Sequence, residues 1–202
     1  MIVIVDYRSG NPASVLNMVR KAGGDASIAG SKELVRSASK LIVPGVGAFD
    51  HGVRQLRHWD LFDAIIERAH AGVPLLGICL GMQLLAKGSE EGGLPGLGLI
   101  DAEFTRFAFP EDSPLKIPHV GWNVVRVEKA NPLIADSPEE RRFYFVHSFH
   151  AVCRNPGDVL ASTEYGYAFT AAYSRENVYG VQFHPEKSHR FGMDLIKKFV
   201  EL

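Results

Sequence analysis

A chain of 202 residues, 46% hydrophobic and 22% charged, is long enough to bury its own core and is expected to form one domain over residues 1–202. A formal net charge of −1 gives no electrostatic attraction for nucleic acid or an anionic membrane surface, and the longest basic cluster, Arg141-Arg142, reads as a solvated turn. The two isolated cysteines, Cys79 and Cys153, make no disulfide framework, and the opening run Met1 to Asp6 is too short and too poor in basic residues for a signal peptide, so a cytoplasmic location is expected.

Ile2 to Val5 is an unalternating β-branched run, the pattern of a strand buried on both faces. Asn11-Pro12-Ala13-Ser14 opens a helical stretch through Val15 to Lys21, closed by Gly23-Gly24. A short strand over Ala26 to Ala29, a short helix over Lys32 to Ser37 and a buried strand over Lys40 to Val43 follow, the last ending at Pro44-Gly45-Val46-Gly47. Leu61 to Ala71 has helical spacing, Val73 to Ile78 is another buried strand, and Leu80 to Lys87 another helix. Gly92-Gly93, Gly96 and Gly98 read as a flexible loop. Alternation of strand and helix predicts a parallel α/β sheet.

The second half differs. Strands are predicted over Glu103 to Phe109, Trp122 to Val127, Arg142 to Val146, Ala151 to Cys153, Ala168 to Tyr173 and Val178 to Phe183, with a closing amphipathic helix over Phe191 to Leu202. Turns rather than helices join them, so mixed or antiparallel pairing is expected there.

Gly77-Ile78-Cys79-Leu80-Gly81-Met82-Gln83 follows a buried strand and precedes a helix. That is the setting of a nucleophile elbow, with cysteine in place of serine. A sharp strand-to-helix turn strains the backbone at the nucleophile, and flanking glycines keep neighbouring side chains apart. Amides at the helix start favour a thiolate and can hold a developing oxyanion. A free cysteine is more often a small buried hydrophobe; the elbow context favours chemistry for Cys79, whereas Cys153, in Ala-Val-Cys-Arg, reads as packing.

A thiolate attacking a carboxamide needs a proton donor for the departing amine. Of eight histidines, His184 ends a predicted strand and is followed by Pro185 and Glu186, whose carboxylate can face the imidazole across the turn. His147 and His150 compete for the same role but have no acidic neighbour within a few residues. Gly45 and Gly47 around Val46 free the backbone to aim amides at a tetrahedral intermediate, although a plain turn explains them equally well. Histidine and cysteine spacing suggests no metal site, and no phosphate-binding glycine loop is present, so no cofactor is expected.

Pro44-Gly45-Val46-Gly47, Gly77 to Gln83 and Gly180-Val181-Gln182-Phe183-His184-Pro185-Glu186 together resemble the class I (triad) glutamine amidotransferases. Asp6-Tyr7, Gly10-Asn11, Glu91-Gly92, Gly96 to Ile100, Pro118-His119-Val120-Gly121-Trp122-Asn123, Phe145 to Ser148 and Pro185 to Ser188 narrow the resemblance to glutaminase subunits of imidazole glycerol phosphate synthases, over essentially the whole chain. The resemblance implies a flavodoxin-like class I glutamine amidotransferase fold: α/β, with a mostly parallel central sheet and a mixed, antiparallel extension. It implies glutamine as substrate and a (βα)8-barrel cyclase subunit as heterodimeric partner. Ammonia would pass to that partner to make imidazole glycerol phosphate and aminoimidazole carboxamide ribotide in histidine biosynthesis. By the same resemblance Cys79 is the nucleophile, His184 the acid/base and Glu186 its orienter. Gly47 and Leu80 would line the oxyanion hole, and Gln83, His147, Ser148 and Phe149 would hold the glutamine backbone. Asn11, Trp122 and Lys187 would lie toward the synthase.

The sequence departs from the pattern at Arg8, where a glycine is usual, and at His189-Arg190-Phe191-Gly192. Neither touches the triad, but both bear on the partner surface. Paralogues that feed ammonia to a sugar amination step in surface polysaccharide synthesis therefore stay open. So does a stand-alone α/β cysteine hydrolase; a regulatory subunit with a decayed site is disfavoured, since all three candidate catalytic side chains are present.

Overall fold

The computed structural model describes residues 1–134 and 139–202. The first half alternates as expected: β1 (Ile2–Val5), α1 (Pro12–Lys21), β2 (Ala26–Ala29), α2 (Lys32–Ser37), β3 (Lys40–Gly45), α3 (Phe49–His58), α4 (Phe62–His70), β4 (Leu75–Cys79) and α5 (Leu80–Leu85). The second half adds β5 (Gly88–Ser89), β6 (Ala102–Arg106), β7 (His119–Val127), β8 (Arg141–His147), β9 (Phe149–Cys153), β10 (Val159–Tyr165), β11 (Tyr167–Arg175), β12 (Val178–Val181) and α6 (His189–Glu201). The main sheet runs β2-β1-β3-β4-β12-β11-β10-β7-β8. From β2 to β12 every pairing is parallel; from β12 to β8 every pairing is antiparallel.

Successive apolar residues of the parallel strands feed two different cores. Val3, Val5, Leu41, Val43 and Leu75 join the cluster on one face. Ile2, Ile4, Ile42, Leu76 and Ile78 join the cluster on the other. Both faces of these strands are therefore dry, which is why the runs show no polar alternation.

Several elements differ from expectation. Helix α3 has no counterpart among the predicted elements, because Gly52, Asp50, His51 and His58 lower its propensity. Its buried stripe of Phe49, Gly52, Val53 and Leu56 outweighs that. A side chain at Gly52 would press on the Leu84 methyls of α5 at 3.1 Å, so glycine permits close helix–helix approach. Strand β10 is likewise absent from the predicted set; register shifts between Val159 and Ser162 break its alternation. The glycine-rich segment after β5 is not a flexible loop. Glu91 Oε2 accepts from the Phe49 amide at 2.9 Å, Asp50 Oδ1 accepts from the Leu94 amide at 3.0 Å, and Leu97 is buried. Arg141-Arg142 is no solvated turn but the start of β8, where Arg141 pairs with Asp194 at 2.7 Å.

The elbow is built by contact between glycines. An added Cβ at Gly77 would lie 2.7 Å from the Gly81 carbonyl, and one at Gly81 would collide with the Val43 carbonyl oxygen. Strand β4, strand β3 and the first turn of α5 touch backbone to backbone there. Gly81→Ala is expected to destabilise the fold by about 3 kcal/mol, as overpacking does in rigid surroundings. Thermal unfolding should show the midpoint falling by roughly 6–12 °C; an unchanged midpoint would contradict this packing.

Candidate active site

The parallel strands end at one edge, where the segments after β1, β3, β4 and β12 converge. Cys79 is the last residue of β4 and caps α5, with φ 54 and ψ −109. A non-glycine residue in that region carries strain of about 1–3 kcal/mol and persists only when its surroundings impose it. Here the glycine contacts on either side impose it. Its side chain is buried.

β12 supplies the partner groups. Its parallel register pairs Val181 with Ile78, so the chain leaves the strand alongside Cys79. The His184 amide donates to the Tyr144 carbonyl of β8 at 2.9 Å, and a turn of 3-10 helix over Pro185–Lys187 reverses the chain. That turn brings Glu186 back onto the imidazole: His184 Nδ1 donates to Glu186 Oε1 at 2.7 Å. The other ring nitrogen, Nε2, is buried without a hydrogen-bond partner. Burial works against the imidazolium, but the Cys79 sulfur and the Glu186 carboxylate outweigh it and lift His184 from 6.5 to about 9. The ring thus holds a proton at neutral pH, fixed by the carboxylate on one side and facing the sulfur with the other.

The competing histidines are of another kind. His147 Nδ1 donates to the Phe149 carbonyl at 2.8 Å, which leaves its Nε2 to accept from His119 Nδ1 at 3.0 Å. His119 Nε2 in turn lies 3.4 Å from the Asn123 amide. Burial pushes His147 down to about 3 and His119 to about 4, and lowers His150 as well. These rings pack as neutral groups around Phe107 and Phe169. A neutral ring in a closed relay cannot protonate a leaving amine at neutral pH, whereas His184 can.

Two cavities flank the reacting groups. One, of about 530 Å³, is lined by Gly47, Cys79, Leu80, Gln83, His147, Ser148 and Phe149, which brings all the expected oxyanion and substrate residues to one space. It also contains Glu91, a residue without an assigned role in the sequence reading and, among the described residues, its one acidic lining group. The signal for Glu91 was its place beside Gly92 in the glycine-rich segment; its approach to the site depends on the α3 cap described above. The second cavity, of about 340 Å³, is lined by Asn11, Gly45, Val46, His184, Glu186 and Lys187 among others. Val46 borders both, so the Pro44–Gly47 segment is the wall between them.

Gly47 has φ 111, a backbone conformation that requires glycine. Asn11 caps α1 by accepting from the Ser14 amide at 3.3 Å, and Lys187 lies 5.6 Å over the Tyr144 ring. Trp122 is 46% exposed and stacks on His189 at 5.3 Å, and Val120 and Val46 are likewise exposed. Cys153 lies away from the site, its thiol pushed up to about 11 by burial. Among the described residues no group of three or more His, Cys, Asp or Glu side chains is placed to hold a metal ion, and no helix is long and apolar enough to cross a membrane.

Comparison with known proteins agrees with this architecture. The glutamine amidotransferase class-I family model matches residues 3–202. The imidazole glycerol phosphate synthase subunit HisH 2 of Pseudomonas aeruginosa is 50% identical over 203 residues, covering 100% of both chains. The subunit of the same name from Methanococcus maripaludis is 48% identical over 202 residues, covering 100% of this chain and 99% of that one. The structure of PurLQS from Thermotoga maritima superposes with a TM-score of 0.74 at 20% identity, covering 98% of this chain and 94% of the other, a likeness of fold alone. The chain belongs to the class-I glutamine amidotransferase family.

Proposed function

We propose that the chain hydrolyses glutamine to glutamate and ammonia as the glutaminase subunit of an imidazole glycerol phosphate synthase. The observation that carries this reading is the imidazole of His184, clamped by Glu186 at 2.7 Å with its other nitrogen toward the Cys79 sulfur, an arrangement that favours its protonated form. In this mechanism the Cys79 sulfur attacks the side-chain carbonyl carbon of glutamine. The oxyanion is held by the backbone N–H groups of Gly47 and Leu80, which line the same cavity. The C–N bond breaks as His184 gives its proton to the departing ammonia, leaving a thioester. Water, deprotonated by the now neutral His184, releases glutamate and returns the sulfur. Gln83, His147, Ser148 and Phe149 hold the amino-acid end, and Glu91 is the carboxylate available for its ammonium.

The exposed Val46, Val120 and Trp122, with Asn11 and Lys187 on the second cavity, are the proposed docking face for a (βα)8-barrel cyclase subunit in a cytoplasmic heterodimer. Ammonia released beyond the Pro44–Gly47 wall would pass to that subunit, which makes imidazole glycerol phosphate and aminoimidazole carboxamide ribotide in histidine biosynthesis. This reading is supported by the relatives' identity along the whole chain. One observation favours a second reading: both of those relatives carry the numeral 2, the mark of a further subunit of that name. A paralogue feeding ammonia to a sugar amination step would have the same glutaminase site and a different partner face.

Mixing the chain in equal amounts with the barrel cyclase of its own organism and with a sugar-amination partner separates the two. Glutamate release should rise with the histidine-pathway barrel; stimulation only by the other partner would reverse the assignment. In the active pair, Cys79→Ala should lower the rate by ~10⁴ or more, as loss of a covalent nucleophile does. Retained ammonia release would remove Cys79 from the mechanism.

The pH dependence has a definite sign. The folded pKa of His184 lies above its ordinary value, so the stabilisation of its charged form is complete below about 6.5 and lost as pH rises through about 9. Glutamine hydrolysis should fall over that high-pH limb. Glu186→Gln removes one of the two charges that raise the ring, so the limb should move to lower pH. A pH profile unchanged in the variant would show that Glu186 does not govern this proton.

A further inference from the structure

Gln182 is fully buried, yet no step above uses it. The register that sets Val181 against Ile78 brings Gln182 level with Cys79. Its amide Nε2 donates to Cys79 Sγ at 3.8 Å. Its Oε1 is buried with no partner in the protein. Phe183 stacks on Phe143 at 3.9 Å in the core, so the segment alternates: residues 182 and 184 serve the sulfur, and residue 183 anchors the backbone. A buried carboxamide that leaves its oxygen unpaired costs stability that an apolar side chain of similar volume would not. The donor end, not the acceptor end, meets the sulfur, and a thiolate can only accept.

We propose that Gln182 is a further catalytic residue, whose side-chain N–H stabilises the anionic Cys79 sulfur. This rests on the reading of Cys79 as nucleophile. The role differs from that of His184, which gives its proton away once the C–N bond breaks. Gln182 cannot lose its proton at working pH. Its N–H is therefore present both when the sulfur attacks and when the C–S bond of the thioester intermediate breaks, with the electron pair returning to sulfur. Polar groups around the sulfur include Gln83, Glu91, His147 and Ser148 of the larger cavity, with Tyr7 and the His184–Glu186 pair. The Tyr7 phenol, just after β1, is pushed well above 10 chiefly by burial and stays neutral; His147 of β8 is neutral; His184 is hydrogen-bonded to Glu186.

The test is alkylation of Cys79 in the full chain by iodoacetamide, followed by peptide mass, which separates it from Cys153. This reagent needs no glutamine site. If the unaltered chain, paired with its partner, fails to hydrolyse glutamine while alkylation behaves as expected, only the glutaminase reading falls. Gln182→Met keeps volume and removes the donor; its alkylation at pH 7 should slow roughly tenfold, the low end for a hydrogen bond to a charged acceptor. Gln182→Glu keeps the shape, adds a negative charge and should slow alkylation further at pH 7. If the methionine variant unfolds, the glutamate variant decides by the same comparison. Alkylation at the unaltered rate in a folded variant, or a glutamate variant no slower than the methionine variant, as simple loss of packing would give, would overturn the proposal.

Discussion

The parallel pairing of β4 with β12 is the constraint on which the site depends. These strands are far apart in sequence, and their register, Val178 with Leu75 through Val181 with Ile78, is set where both are buried. A slip of one residue would turn every side chain of β12 to the opposite face. The Gly180 position resists such a slip: a side chain there would meet Met82 and the Tyr173 ring, each 2.7 Å or closer. Tyr173 is itself fixed, its hydroxyl donating to the Met82 carbonyl in α5. Thus one backbone pairing, locked by glycine contacts, carries the elbow, Gln182 and the His184–Glu186 turn to the same place.

Electrostatics then divide the histidines by environment rather than by sequence. His147 and His184 are both nearly inaccessible to solvent, at 5% and 1%. Burial alone lowers a histidine, and it does so for His147. His184 goes the other way because two acidic groups face it and together outweigh its burial. The neutral relay of His147 and His119 is structural, since it braces the Phe149 carbonyl and with it the wall of the larger cavity. The same residue type thus serves as proton carrier on one side of the sulfur and as a hydrogen-bonded strut on another.

Much of this was legible in the sequence. The buried strands, the elbow and the His-Pro-Glu turn each follow local rules, and the structure has a strand-to-helix turn at Cys79 and a 3-10 turn at Pro185–Lys187. What escaped was set by tertiary contact. Helix α3 contains Gly52, whose value appears only when Leu84 is seen beside it. Glu91 reaches the cavity through a loop pinned to α3, and that attachment has no sequence period. Gln182 was visible within the motif, but its contact with the sulfur depends on pairing with a strand about one hundred residues earlier. The glycine-rich segment after β5 shows the opposite error: its composition suggests mobility, yet its amides are used by Leu84, Leu85, Ala86 and Asp50.

The exceptions to polar satisfaction point the same way. Among the described residues, buried side-chain atoms without a hydrogen-bond partner in the protein include Tyr7 Oη, Gln83 Oε1, Gln182 Oε1, His184 Nε2 and Glu186 Oε2. Native cores rarely tolerate such atoms, since each costs about 1–3 kcal/mol. These five belong to side chains that line the two cavities or flank the sulfur, in the same region where Cys79 holds a strained backbone, whereas the remaining such atoms, on Ser9, Arg68, Arg141, His150 and Asp158, line neither cavity. A fold that only needed stability would replace them with apolar groups of like volume. The five at the site are what a site prepared for a polar ligand requires, because donors and acceptors already desolvated can meet a carboxamide without first giving up water.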